Sequence, residues 1–163
     1  MKKLLLSLSI VLGLLAVPLT AAAKEPTISH YTTQTADVTI SGVCAFDFMI
    51  TSTAGITEID YINASGDVTR VYFHVTEQDT FIGPGRTLIG IPYTFNFEIR
   101  FDSSGALTGF VGSGVVMKER LPDGTLVLSA GRLNILKHPG VSFFFTPDVG
   151  HSGNLHALCS ALA

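Results

Sequence analysis

The chain has 163 residues, 47% apolar and 14% charged, with two Cys, no Trp and a formal net charge of −3. That length fits one domain or at most two, and 11 Phe with 4 Tyr bury enough surface to outweigh chain entropy, which excludes disorder. An acidic balance without a run of Lys or Arg argues against nucleic acid, whose binding is driven by counterions that basic clusters release.

Residues 1–23 predict a secretory signal peptide. Met1-Lys2-Lys3 is a short cationic start, Leu4 to Val17 is an apolar core broken only by Ser and Gly, and Ala21-Ala22-Ala23 supplies a small-residue cleavage site. A membrane anchor would need roughly 18 or more apolar residues, and Pro18 interrupts the stretch. No paired arginines precede the core, which favours the general secretion route, and no later run is long enough to span a bilayer. The mature protein is expected to be extracellular. Beyond residue 23 there are 8 Lys and Arg against 13 Asp and Glu, a net charge of −5.

Residues 24–36, rich in Thr and bearing Pro26, read as a flexible leader, and 37–163 as a single β domain. Val38 to Ile50 predicts one or two strands around Gly42, and Ile56 to Ile62 predicts another before the turn Ala64-Ser65-Gly66-Asp67. Val68 to Thr76 alternates Val71, Phe73 and Val75 with Arg70, Tyr72 and His74, the period of a strand with one buried face. Gly83-Pro84-Gly85 is a turn or a loop over one end of the domain. From Ile89 to Phe101 the odd positions are all apolar, which predicts a long strand with an irregularity at Pro92, since proline cannot donate to a ladder. Asp102-Ser103-Ser104-Gly105 and Leu121-Pro122-Asp123-Gly124 are turns that flank a strand from Leu107 to Arg120. Thr125 to Leu136 is the next strand. The run Val141-Ser142-Phe143-Phe144-Phe145 needs cover on both sides if all three rings are buried. Asn154 to Leu162 fits a short helical turn or an edge strand.

In an oxidising compartment two cysteines are most simply a disulfide, so Cys44 and Cys159 are expected to clip the C-terminal tail to an early strand. The competing reading, Cys159 as a metal ligand with His151 and His156, lacks a familiar zinc spacing. Short turns between successive strands predict an all-β antiparallel meander of about seven to nine strands, an up-and-down β-barrel with a β-sandwich as the alternative.

The frame Val43-Cys44-Ala45-Phe46-Asp47-Phe48, the Gly-rich hairpins, the segment Asp123-Gly124-Thr125 to Gly131-Arg132 and the terminal Leu158-Cys159-Ser160-Ala161-Leu162-Ala163 resemble a group of small secreted actinobacterial proteins with a C-x-F-x-V type motif and a closing L-C-x-x-L. The resemblance implies a Gram-positive secreted protein with one disulfide, and lends no catalytic residues. In layout the chain is also similar to the barrels of allene oxide cyclase and dirigent proteins, which implies a cavity for an apolar molecule.

No nucleophile elbow, metal set or cofactor motif is present in the sequence. Gly112-Ser113-Gly114 lies in a strand, and Glu58 with Asp60, like Glu98 with Arg100, share a strand face that reads as solvated. His74, Glu98 and Arg100 are the candidate ligand-binding residues, should their face line a cavity. The leading expectation is a non-enzymatic secreted module that binds a small apolar ligand or a cell-envelope partner. The alternative is a barrel enzyme of isomerase, cyclase or hydrolase type acting on an apolar small molecule, with Glu98, Arg100 or His74 pointing into the lumen. The direction in which the Ile89–Phe101 strand faces decides between them. Oligomeric state is left open by the sequence.

Overall fold

The computed structural model describes residues 24–138 and 148–163, so residues 1–23, where a signal peptide is expected, and Val141 to Phe145 lie outside the described residues. Nine strands and one helix follow in chain order: β1 (Thr27–Gln34), β2 (Val38–Ile40), β3 (Phe48–Ile62), β4 (Val68–Ile82), β5 (Thr87–Ile89), β6 (Tyr93–Phe101), β7 (Leu107–Arg120), β8 (Leu126–Asn134), β9 (Val149–Ser152) and α1 (Leu155–Leu162). All pairings are antiparallel. The path runs β1-β3-β4-β6-β7-β8-β9, with β2 beside β3 and β5 beside β4. The all-β meander expected from the short turns is present, as a sheet that is not closed on itself: β1 and β9 are its two edges.

Residues 27–34 do not continue a flexible leader. They form β1, paired residue for residue with Thr53 to Asp60 of β3. Three threonines, Ile28 and Tyr31 suit an extended, half-covered backbone, and ladder hydrogen bonds outweigh the polarity that suggests mobility. The predicted strand Ile89–Phe101 is divided at Gly90–Pro92 into β5 and β6. There the chain steps sideways, as Gly90 donates to Asp79 O and Ile91 donates to Lys118 O. Strands β3 and β4 each run 15 residues, longer than expected, because the alternation continues through Thr51–Ala54 and Glu77–Ile82.

Strand alternation gives the sheet two faces. One face carries Phe48, Ala54, Val75, Phe81, Tyr93, Phe95, Met117, Val127 and Leu133, all buried; we call it the core face and the other the outer face. A bulge between Val115 and Met117 turns the extra residue, Val116, into the same core. Helix α1 covers one end of it. Asn154 caps the helix by accepting from Ala157 N–H at 3.0 Å, and Leu158 and Leu162, one turn apart, are buried against Phe48, Phe81, Met117, Leu121 and Val127.

Two devices hold that cover in place. Cys44 and Cys159 form the expected disulfide, 115 residues apart in sequence with Cα atoms 5.5 Å apart, and on the chain-entropy account a loop that long contributes on the order of 4–5 kcal/mol. Opposite it, the Gly83-Pro84-Gly85 turn is moulded on the helix end: Gly85 N–H donates to Leu162 O at 3.1 Å. A Cβ at Gly85 would stand 1.8 Å from Ala163 O, so only glycine permits this approach.

Candidate functional site

The buried phase of β4 runs Val71, Phe73, Val75 and then, without changing face, Glu77, Asp79 and Phe81. Register places Tyr93 of β6 opposite Glu77, and Ser52 of β3 opposite Asp79. Tyr93 Oη lies 2.8 Å from Glu77 Oε1 and 2.5 Å from Asp79 Oδ2, and Ser52 Oγ donates to Asp79 Oδ1 at 2.5 Å. A phenol has one proton to donate, so the second of the tyrosine contacts requires a proton on a carboxyl. Glu77 is the better suited to carry it: burial, opposed by the Tyr93 hydrogen bond and reinforced by the charge of Asp79, raises its pKa to about 7. Burial and the two carboxylates also push the Tyr93 phenol far up, which keeps it a donor.

Glu119 of β7, 1% exposed, joins the same interior. Its Oε2 and the backbone oxygen of Asp79 would both lie 3.1 Å from a Cβ at Gly90, so the two acids flank that glycine. Burial first, then the Asp79 charge, raises Glu119 to about 7. Its Oε2, like the buried Ser129 Oγ on β8, has no hydrogen-bond partner among the described residues.

The outer face is built from the other strand phase and carries the opposite charge. Arg70 on β4, Arg100 on β6, Lys118 and Arg120 on β7 and Arg132 on β8 all alternate with core positions, against a single acid of that phase, Glu98. The core phase holds Glu58, Asp60, Glu77, Asp79 and Glu119 and no Lys or Arg among the described strands. A balance of −5 over residues 24–163 therefore conceals two faces of opposite sign.

Glu98 organises the centre of the outer face. Its Oε1 accepts from Arg100 Nε at 2.9 Å and lies 2.9 Å from Arg100 Nη2 and 3.6 Å from Arg70 Nη1; the Arg100 hydrogen bond holds the carboxyl below its ordinary range. The Arg70 guanidinium stacks 3.6 Å over the Tyr61 ring. Beside this pair the outer positions of β7 are small, Gly109, Val111 and Ser113, and leave a groove between the side chains of β6 and β8. It holds a pocket of about 210 Å³ lined by Glu98, Arg100, Thr108, Gly109, Val111, Arg132 and Asn134. Gly109 makes the room: a Cβ there would contact the Arg100 stem at 3.4 Å. A second depression, about 400 Å³, lies toward the β1 edge around Gly55 and includes His30, Thr57 and His74. His30 Nδ1 is 3.0 Å from Thr57 Oγ1, and His74 Nδ1 is 2.8 Å from Asn96 Oδ1.

His74, Glu98 and Arg100 thus share one face, and it is the outer one. Phe95 and Tyr93 occupy the core face of β6, so the three polar side chains lie on the face turned away from the buried residues, not in the lumen that the enzyme alternative required of them. Strand alternation alone fixes this, since each sits one residue out of phase with an apolar neighbour of the core face. Arg70, Arg132 and Asn134 complete the arrangement. They are scattered in sequence and become neighbours only through strand pairing. Two further depressions flank α1; the larger, about 430 Å³, is walled by Val43, Cys44, Phe46 and His156. No group of His, Cys, Asp and Glu suited to a metal occurs among the described residues, and no described helix is long and apolar enough to cross a membrane.

Comparison with known protein families, with curated proteins and with solved structures finds no match to this chain.

Proposed function

We propose that the protein is a secreted, non-enzymatic binding module that holds a cell-envelope partner on the outer face of its sheet. The observation that carries this reading is the sorting of charge by strand phase, which collects Arg100 and Arg132 around one polar pocket, with Arg70 beside it on Glu98, in a chain that is otherwise acidic. Charge far from the binding face keeps such a protein soluble, while complementary charge on it steers encounter with a partner of opposite sign. Export is supported by the signal-like residues 1–23 and by the Cys44–Cys159 disulfide, which persists in oxidising surroundings.

Sedimentation of the folded protein with isolated Gram-positive envelopes tests the reading. The wild type is expected to pellet, and Arg100→Gln/Arg132→Gln to stay in the supernatant with its circular dichroism unchanged. Equal pelleting of the two proteins would refute it.

A second reading, an acid–base enzyme acting on an apolar small molecule, is favoured by one observation: Glu77 and Glu119 titrate near 7, where a general acid or base works best, on the face that also carries half-buried Phe73 and Phe97. In that case Glu77→Gln abolishes function, whereas envelope retention through the outer face is indifferent to it.

A further inference from the structure

We propose that the groove over β7 seats an oxyanion-bearing saccharide, its carboxylate or phosphate group between the guanidinium groups of Arg100 and Arg132 and its hydroxyls on Asn134 and Glu98. The proposal names the partner chemistry of the outer face and rests on the envelope-binding reading.

Four features of the pocket select this class. Arg132 has no acidic partner among the described residues, and Arg100, its side chain 63% exposed, shares one carboxylate oxygen with Arg70. One net cationic site therefore remains for one anionic group, and the planar fork of arginine suits carboxylate and phosphate alike. Glu98 sits in the same pocket and repels densely charged polymers such as polyphosphate. It accepts hydrogen bonds from sugar hydroxyls, so the ligand that fits has isolated anionic groups separated by hydroxyls. Third, about 210 Å³ is below the roughly 300–1,000 Å³ that encloses drug-sized ligands, which suits one sugar unit with its chain continuing over the strands. Last, the row that continues from Arg132 through Ser113, Asn96 and His74 to Thr57 and His30 is polar throughout and offers hydrogen-bonding groups rather than an apolar track.

Isothermal titration at low salt of the folded, disulfide-bonded protein is the test, with trigalacturonate as the carboxylate probe and glucose 6-phosphate as the phosphate probe. Neutral galactotriose, glucose and an aspartate pentapeptide serve as comparisons. At least one acidic sugar is expected to bind at least about tenfold more tightly than its neutral counterpart, since a charge pair of this kind is worth more than one such factor, and which of the two binds identifies the anion. Arg132→Gln should lower that affinity about tenfold, and Arg86→Gln, on the opposite side of the domain beside α1, should not. Equal binding of acidic and neutral sugars would overturn the anion pocket while the envelope reading stands. Binding of the aspartate peptide as tightly as trigalacturonate would overturn the saccharide assignment, as would no sugar binding by a protein that still pellets with envelopes. If neither envelopes nor sugars are bound, both proposals fail together.

Discussion

The two faces of the sheet use charge in opposite ways. On the outer face Arg70, Arg100 and Glu98 form ion pairs in contact with water, where each contributes little to stability, so this face can be altered without unfolding the protein. On the core face Glu77, Asp79 and Glu119 are buried without a cation among the described residues. Such groups are tolerated only when protonated or fully hydrogen-bonded. The same residue type thus forms water-screened ion pairs where it is solvated and makes folding depend on pH where it is not.

The largest expected effect concerns what covers the core face. Cys44→Ser/Cys159→Ser removes the clip that holds α1 over Phe48 and Phe81, and should lower unfolding free energy by about 4–5 kcal/mol in urea titrations, with no effect on ligand binding at the outer face below the new midpoint. Loss of outer-face binding under native conditions would instead mean that the two faces are mechanically coupled.

Acid–base linkage gives an effect of comparable size, shared between two groups. Glu77 and Glu119 hold their protons more tightly in the folded state, to about 7 against an ordinary 4.5. Their contribution is therefore fully present below about 4.5 and is lost as pH rises through about 7. On that account stability falls between pH 5 and pH 8 by up to about 3 kcal/mol for each group. Glu77→Gln/Glu119→Gln should flatten the profile, measured by thermal unfolding across that range. A wild-type profile that rises toward pH 8 would mean that the acids are ionised and paired in the folded protein. Smallest of all, Arg132→Gln should change unfolding free energy by less than about 0.5 kcal/mol, since its side chain is exposed. A larger loss would place Arg132 in the scaffold instead of in the binding groove.

Much of this architecture is legible in the sequence, and where it is not, the reason is physical. The turns at Ala64–Asp67, Asp102–Gly105 and Leu121–Gly124, the disulfide and the two-faced β6 all follow from local residue chemistry. So does the position of Glu98 and Arg100 on a polar strand face. The core acids leave a signal too: Glu77 and Asp79 continue the phase of Val71, Phe73 and Val75 up to Phe81, so an acidic residue in a buried phase marks the cluster. What sequence cannot supply is the neighbour across the sheet. Arg70, Arg100 and Arg132 are separated by thirty residues or so at each step and meet only because β4, β6, β7 and β8 pair in a particular register. A count of charges along the chain sees no basic cluster, whereas a count by face does. Composition alone suggests mobility for 24–36, and β1 shows that a polar, Thr-rich segment pairs readily when a long strand offers its edge.

The division between a binding face and a proton-holding core is tested most directly by nuclear magnetic resonance, following side-chain signals on both faces of one sample during a titration with trigalacturonate. The account predicts that the Nε–H groups of Arg100 and Arg132 and the amide of Asn134 shift in a saturable way, while the carboxyl carbons of Glu77 and Glu119 stay still. Saturable shifts at Glu77, Tyr93 and Glu119, with the arginines unmoved, would contradict it and assign the ligand to the core face.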